Sequence, residues 1–246
     1  MLIEQPTRRT TRLSTSIASD RVRRAAAVAL HRLAGASRVA RGATLARLHH
    51  ALGRSLALAL PRRLATPRIV DAVLTPAECA MIVGEVRTHA ARYGWGSLHR
   101  RYPTCDLPVN ALPCGARVHA ALESRTFGAF GELFGAAYGP ARQLRFRDLF
   151  VAKYEARGSE QRGVSGHVDA SLLSFVLPLN NDFDGGGTYF EHVRLLARPP
   201  VGSAVLFMGK VYHEGVAVTR GVRYVLVGLV DREGSDGPLA TRHRPP

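Results

Sequence analysis

From Gln143 to Val230 the chain is a succession of short apolar runs, each cut off by glycine, proline or a polar cluster. LRFRDLFVAKYE reads as one strand and GHVDASLLSFVLPL as one or two. TYFEHV and LLARP follow, separated only by Arg194, and then the segments 202–208, 211–213 and 222–230. The runs are short and rich in β-branched and aromatic residues, which is the pattern of strands. Pro199-Pro200-Val201-Gly202 is a strong turn signal between two of them. Many short strands with glycine and proline turns read as a β-sandwich.

Inside this region GHVDA holds His167 and Asp169 two positions apart. On a strand, residues i and i+2 point to one face, so the imidazole and the carboxylate are expected to project together, with Val168 turned away. His213 lies on a later run and can supply a third donor. Two histidines and one carboxylate on one side of a metal leave coordination positions open, which is the mark of non-haem Fe(II) oxygenases. Zinc hydrolases also use two histidines and a carboxylate, but often from a helical His-Glu-x-x-His, which this sequence lacks. A double-sheet jelly roll accommodates a metal between its sheets.

Arg223 carries the next step. After His213 a polar turn is expected at Thr219-Arg220-Gly221, followed by a strand over 222–230 on which Arg223 shares a face with Val225, Val227 and Leu229. An arginine at the head of an apolar face needs a partner, because an unpaired buried charge is costly. Guanidinium matches carboxylate through two parallel hydrogen bonds in a way that lysine does not. The distal carboxylate of 2-oxoglutarate is the evident candidate, with its keto-acid end reaching the open metal positions.

Together these residues resemble the Fe(II)- and 2-oxoglutarate-dependent dioxygenases of the prolyl 4-hydroxylase and procollagen lysyl hydroxylase family. The resemblance covers 68–231 and rests on VAKYE, HVDAS, the run NDFDGGGTYF and HEGVAVTRGVRYVLVGLVD. It implies metal ligands at His167, Asp169 and His213, and a co-substrate arginine at Arg223, ten positions past the distal histidine. It also places Tyr154 beside the co-substrate, and Gly186, Gly187 and Thr188 on the family's Gly-Gly-x-Thr-type segment. Gly166 stands where the lysyl hydroxylases carry a second histidine, a position that is not a ligand. Large flanking parts of the animal enzymes have no counterpart here, so a collagen substrate does not follow.

Some residues invite simpler readings. Tyr154 can equally be a core tyrosine, and Gly185 to Gly187 a turn or bulge. His192 falls on an expected strand, lacks a partner at ligand spacing, and is read as structural.

The formal net charge of +15 would suggest nucleic acid if it were spread over the chain. Residues 1–65 hold thirteen arginines against Glu4 and Asp20, a net +11, which leaves +4 for the remainder. The catalytic region is therefore nearly balanced, and a nucleic-acid role is disfavoured. The extension 1–65 is rich in arginine, alanine and serine and poor in acids, as transit peptides are. Over 22–60 it can form an amphipathic helix, with Arg24, His31, Arg32, Arg38, Arg41, Arg47 and Arg54 recurring along it. Membrane-surface contact by such a helix is a further option. No apolar run is long enough to span a bilayer. Cys79, Cys105 and Cys114 are an odd number without a CxxC pair, which fits a reducing compartment and neither a disulfide scaffold nor a zinc site.

Ahead of the strands, Pro67 to Val70 reads as a strand, and Leu74-Thr75-Pro76-Ala77-Glu78 as a helix start, with Thr75 as N-cap and Glu78 at N3. That helix is expected to run to about Ala91, and a second over 116–135. Between them the stretch 94–113, with Trp95, Arg100, Arg101, Tyr102, Thr104 and Asp106, is expected to be an irregular loop able to touch substrate.

The expectation is thus an α+β chain with a double-stranded β-helix (jelly roll) core over 66–233. N-terminal helices support it, a basic helical or disordered extension occupies 1–65, and a polar tail occupies 234–246. The expected activity is an Fe(II)- and 2-oxoglutarate-dependent hydroxylase using O2 and releasing succinate and CO2, with ascorbate as a further candidate cofactor. By resemblance, its substrate is a lysyl or prolyl side chain of a peptide or protein. Alternatives are the same chemistry on a free amino acid or small molecule, and a non-catalytic jelly-roll binding module. The location is expected to be intracellular, either cytoplasmic or in a mitochondrion or chloroplast if the extension is a transit peptide. Oligomeric state is left open.

Overall fold

The computed structural model of the protein describes residues 62–97, 104–138, 140–158 and 160–233. The basic extension up to residue 61, the loop residues Arg100, Arg101 and Tyr102, and the tail from residue 234 lie outside the described residues, as do the expectations placed on them.

A helical turn at Arg62–Ala65 and strand β1 (Arg68–Val70) lead into helix α1 (Pro76–Tyr93). The helix starts where its capping chemistry directs. The backbone N–H of Glu78 donates to Thr75 Oγ1 at 3.2 Å, and the backbone N–H of Thr75 donates to Glu78 Oε2 at 2.7 Å. Two otherwise orphaned donors are satisfied reciprocally, and Pro76 occupies a position where no N–H is needed. Cys79, Ile82 and Val86 make the buried stripe of α1. The second helix, α2 (Gly115–Tyr138), extends slightly beyond the expected span and buries Val118, Leu122, Phe130 and Phe134. Both stripes pack against one apolar cluster with Phe175, Leu177, Leu206, Leu226 and Val230. Among the described residues no helix is long and apolar enough to cross a membrane.

The remaining strands are β2 (Cys105–Pro108), β3 (Leu144–Glu155), β4 (Val164–His167), β5 (Leu173–Pro178), β6 (Phe183–Gly185), β7 (Thr188–Phe190), β8 (Leu195–Ala197), β9 (Ala204–Met208), β10 (His213–Gly215) and β11 (Val218–Arg232). They build two antiparallel sheets. The larger runs β1-β9-β5-β11-β3-β2, with β6 also paired to β11, and the smaller runs β4-β10-β7-β8. This is the α+β jelly-roll core, with helices on one side, that the strand pattern implies. β11 is its spine, bonded to β3 on one edge and β5 on the other. The period of two sorts its side chains. Tyr224, Leu226 and Val230 join the cluster under the helices, whereas Val225 and Leu229 join Phe150, Ala152, Tyr154 and Val218 on the other face. Gly228 sits opposite Phe175 in the register, and the Phe175 ring fills the space a side chain would need: a Cβ there would lie 2.1 Å from its Cε1.

Several local expectations are corrected. Thr219-Arg220-Gly221 is not a turn but the first part of β11, where Val218, Arg220 and Gly221 pair with β6. Long-range pairing overrides the turn propensity of those residues. The run TYFEHV ends as a strand at Phe190; Glu191–Val193 is a 3-10 turn closed by Arg194 in the left-handed conformation. His192 is therefore off the sheet, with Nε2 2.7 Å from the Ala65 carbonyl, a structural contact. The strand expected over 211–213 begins only at His213. In the stretch 94–113, residues 105–108 form an edge strand on β3, and Gly96 bridges to Asp106. Asp106 is wholly buried and accepts a hydrogen bond from the Thr104 hydroxyl.

Candidate metal centre

The two histidines reach the same place because of strand register. β10 pairs antiparallel with β4, and His213 lies directly opposite His167. Directly opposed residues on one sheet face are close neighbours, and the two ring centroids are 4.4 Å apart. Asp169 arrives differently. β4 ends at His167, so the carboxylate is not carried by an i, i+2 strand pair as the sequence suggests. It is held by the segment it enters. Its N–H donates to the Gly209 carbonyl at 2.7 Å, and Lys210 Nζ donates to the carbonyls of Asp169 and Ala170, both at 2.8 Å. The Ser174 hydroxyl donates to Asp169 Oδ2 at 2.6 Å and is 2.9 Å from the Ser171 hydroxyl.

One ligand atom from each of His167, Asp169 and His213 can be chosen so that all lie within 4.8 Å of one another. His167 Nε2 is 3.4 Å from Asp169 Oδ1, and His213 Nε2 is 3.7 Å from Oδ2. Each Nδ1 is 2.9 Å from a backbone carbonyl, that of Ser165 for His167 and that of Val211 for His213. A carbonyl can only accept, so each Nδ1 carries the proton and each Nε2 turns a lone pair toward the carboxylate. Phe207 meets the His213 ring edge-on at 4.6 Å and fixes its orientation.

The charges follow from these contacts. Burial resists ionisation of Asp169, but the two imidazoles and the Ser174 hydroxyl outweigh it and hold the carboxyl below the usual carboxylate range. Burial pushes His213 down to about 4, so its ring is neutral. His167 moves the other way, since the Asp169 carboxylate overcomes the burial that would lower it. One anionic oxygen ligand and two imidazole nitrogens converging from one side suit a divalent first-row metal and leave positions free.

Arg223 is a second buried charge, and the Tyr154 ring that it faces also feels the Asp169 carboxylate. Arg223 is 4% exposed, and no carboxylate among the described residues pairs with it. It faces Tyr154, its cross-strand partner, with the guanidinium carbon 5.6 Å from the ring centre. Burial pushes the Tyr154 hydroxyl up to about 12, so the ring is neutral and cannot serve as counterion. The Gly185 to Gly187 turn, at positive φ throughout, passes over this arginine. A Cβ on Gly186 would stand 3.0 Å from Arg223 Cδ. A groove of about 560 Å³, lined by Arg223, Arg198, Asn180 and the glycine turn, opens beside it and does not include the triad.

His167, Asp169, His213, Arg223 and Tyr154 were all legible as candidates, and the fold brings the first three into one cluster and the last two into contact. Ser174, Ser171 and Lys210 were not legible. Ser174 precedes an ordinary apolar run, and nothing in its spacing marks it. Lys210 had a weak signal, being one of only two lysines in the chain and sitting three residues before His213. Gly166, where a histidine stands in the lysyl hydroxylases, packs against Tyr212: a Cβ there would lie 2.0 Å from the Tyr212 hydroxyl.

The chain is similar to mouse procollagen-lysine,2-oxoglutarate 5-dioxygenase 1, at 30% identity over 176 residues, which covers 65% of this chain and 23% of the mouse protein. It is also similar to the multifunctional procollagen lysine hydroxylase and glycosyltransferase of Caenorhabditis elegans, at 35% identity over 89 residues, 34% of this chain and 12% of that protein. The chain thus spans about a quarter or less of these relatives. No protein-family model matches it. Among solved structures, a 2OG-Fe(II) oxygenase family oxidoreductase from Burkholderia pseudomallei superposes with a TM-score of 0.52 at 17% identity, over 73% of this chain and 91% of that one. A prolyl-4-hydroxylase from Pseudomonas putida gives 0.50 at 17% identity, over 68% and 93%. At these identities the structural likeness speaks for the fold.

Proposed function

We infer that residues 66–233 form a domain of the Fe(II)- and 2-oxoglutarate-dependent dioxygenases, in the branch of the prolyl and lysyl hydroxylases. We propose that it hydroxylates a lysyl or prolyl side chain of a peptide or protein, converting 2-oxoglutarate and O2 to succinate and CO2. The observation that carries the reading is the pairing of two features. A cluster of two imidazoles and one carboxylate accompanies a buried arginine that has no carboxylate partner among the described residues, and Tyr154 feels the charges of both Asp169 and Arg223.

His167, Asp169 and His213 would hold the metal. Fe(II) bound there supplies the activation of O2 and the oxidative decarboxylation of the keto acid. The chain contributes the rest. Ser174 binds Asp169 Oδ2 and leaves Oδ1 facing His167 Nε2. The Ser165 and Val211 carbonyls keep both histidines in the tautomer that presents Nε2. Arg223 would take the distal carboxylate of 2-oxoglutarate through two parallel hydrogen bonds, with the Tyr154 ring packed against the guanidinium at 5.6 Å. Burial of Arg223 keeps water from competing for that carboxylate. Ascorbate would serve to keep the metal ferrous.

The test is succinate release from 2-oxoglutarate when protein loaded with Fe(II) under anaerobic conditions is exposed to O2. It is run with lysine-containing peptides, proline-containing peptides and free amino acids, beside His167→Ala. Turnover that rises with one peptide class and vanishes in His167→Ala is expected. Stimulation by a free amino acid alone would move the substrate to the small-molecule class, and protein that binds no iron would be a binding module.

A further inference from the structure

The groove beside Arg223 has a second guanidinium. Arg198, just past β8, lines it together with Arg223. The Arg198 Nε donates to the Gly186 carbonyl at 3.2 Å, which pins the stem of the side chain against the glycine turn. Gly186 is the same residue whose missing side chain makes room for Arg223 Cδ. The turn therefore has one arginine on each side, and its backbone sets their separation.

The charge balance of the groove is unusual. Arg198 acts on Arg223 as a like charge, adding to the burial that already disfavours the Arg223 cation. The groove's one acidic residue, Asp184, is engaged elsewhere, since its Oδ2 accepts from Arg220 Nε at 2.5 Å. Neither Arg198 nor Arg223 pairs with a carboxylate among the described residues. Two guanidiniums that share a groove with no acid paired to either raise the free energy of the empty site, and an anion between them lowers it. A guanidinium has five N–H donors, and the Gly186 contact uses only the Nε of Arg198.

We propose that Arg198 is a second anion-binding residue of this groove and tunes it to a ligand with a charged distal end. Given the 2-oxoglutarate reading on which this rests, that ligand is the dicarboxylate co-substrate. Arg223 binds its distal carboxylate from the buried side, and Arg198 approaches from the solvent side. Because Arg198 is exposed, its contribution is modest and sensitive to salt.

The experiment is calorimetric binding to the Mn(II)-loaded full chain without turnover. The probes are 2-oxoglutarate and 2-oxopentanoate, which has the same carbon chain but no distal carboxylate. Arg198→Ala is expected to raise the Kd for 2-oxoglutarate about three- to fivefold at low salt. The difference should shrink at high salt, and the Kd for 2-oxopentanoate should stay unchanged. Arg198→Lys should keep part of the preference. Equal weakening of both ligands would reduce Arg198 to a prop for the Gly186 peptide, and unchanged binding of both would remove it from the site. Either result overturns the proposal while the co-substrate reading stands. If wild-type protein bound Mn(II) but not 2-oxoglutarate, the co-substrate reading would fail, and this proposal with it.

Discussion

Arg223 and Tyr154 are directly opposed across β11 and β3, with the guanidinium carbon 5.6 Å from the centre of the ring. The ring cannot neutralise the arginine, and no acid among the described residues does. The arginine is therefore free to receive a carboxylate, the role proposed for it above. Arg223→Ala is expected to weaken 2-oxoglutarate binding by about 1.5–3 kcal/mol, a factor of roughly 10–150. Arg223→Lys should recover only part, because an ammonium lacks the planar fork. Metal affinity should stay at the wild-type level in both. Calorimetry with 2-oxoglutarate and with metal alone checks this, and a matching loss of metal affinity would remove the clamp assignment.

The Ser174 hydroxyl donates to Asp169 Oδ2 at 2.6 Å inside a fully buried pair with Ser171. Removing a partner that orients a ligand typically costs about 10- to 100-fold in metal affinity or activity. Ser174→Ala should therefore weaken Mn(II) or Co(II) binding into that range and alter the visible spectrum of the Co(II) form. Ser174→Thr, which keeps the hydroxyl, should restore much of the affinity. Unchanged affinity and spectrum in the alanine variant would show that the backbone alone positions Asp169.

Gly228 is where two neighbouring strands leave no room for a side chain. A Cβ would lie 2.1 Å from the Phe175 ring, and both residues are buried. Gly228→Ala is expected to destabilise the protein by about 1–3 kcal/mol through overpacking. For a chain of this size each kcal/mol lowers Tm by about 2–4 °C. Adding Phe175→Leu should return part of the loss, which thermal unfolding of the single and double variants measures.

Glu78 gives a pH dependence with a definite sign. A hydrogen bond from Arg125, the Thr75 backbone N–H and further contacts lower its carboxyl from 4.5 to about 2. A depressed carboxylate contributes stability above its unfolded value and loses it as pH falls through the folded one. The Glu78 contribution should therefore be full above pH about 4.5 and gone below about 2. Glu78→Gln should flatten the acid limb of the stability curve in this window. At neutral pH it should cost no more than about 1 kcal/mol, since the pair is partly exposed and screened. Denaturant unfolding across pH compares the two proteins.

The cysteines carry a prediction about reactivity. Burial pushes the Cys79 thiol up to about 11, and burial with Glu85 pushes Cys114 up to about 12. Thiolate is the reactive form, so both should react with iodoacetamide far more slowly than an exposed thiol at neutral pH. Mass spectrometry of the labelled protein reads this directly.

Much of the architecture is local and was readable in the chain. The capping box at Thr75 and Glu78 and the apolar stripes of both helices depend on neighbours a few positions away. So does the alternation that sends Arg223, Val225 and Leu229 to one face of β11. The donor types at His167, Asp169, His213 and Arg223 were also legible, because their chemistry needs those residues whatever holds them.

What the sequence could not determine are the outcomes of pairing between distant segments. Thr219 to Gly221 have the composition of a turn, yet β6 recruits them into β11. Residues 105–108 lie in a polar stretch, yet β3 makes them an edge strand. Asp169 does not inherit its direction from the strand of His167. It is aimed by Gly209 and Lys210, brought to it by the fold from a distant segment, together with nearby Ser174. Arg198 and Arg223 meet at one groove only because the glycine turn runs between them. The identity of each reactive group is thus a property of the sequence. Its meeting with the others is set by strand register and hydrogen bonds between segments far apart in the chain, and those exist only once the two sheets have closed.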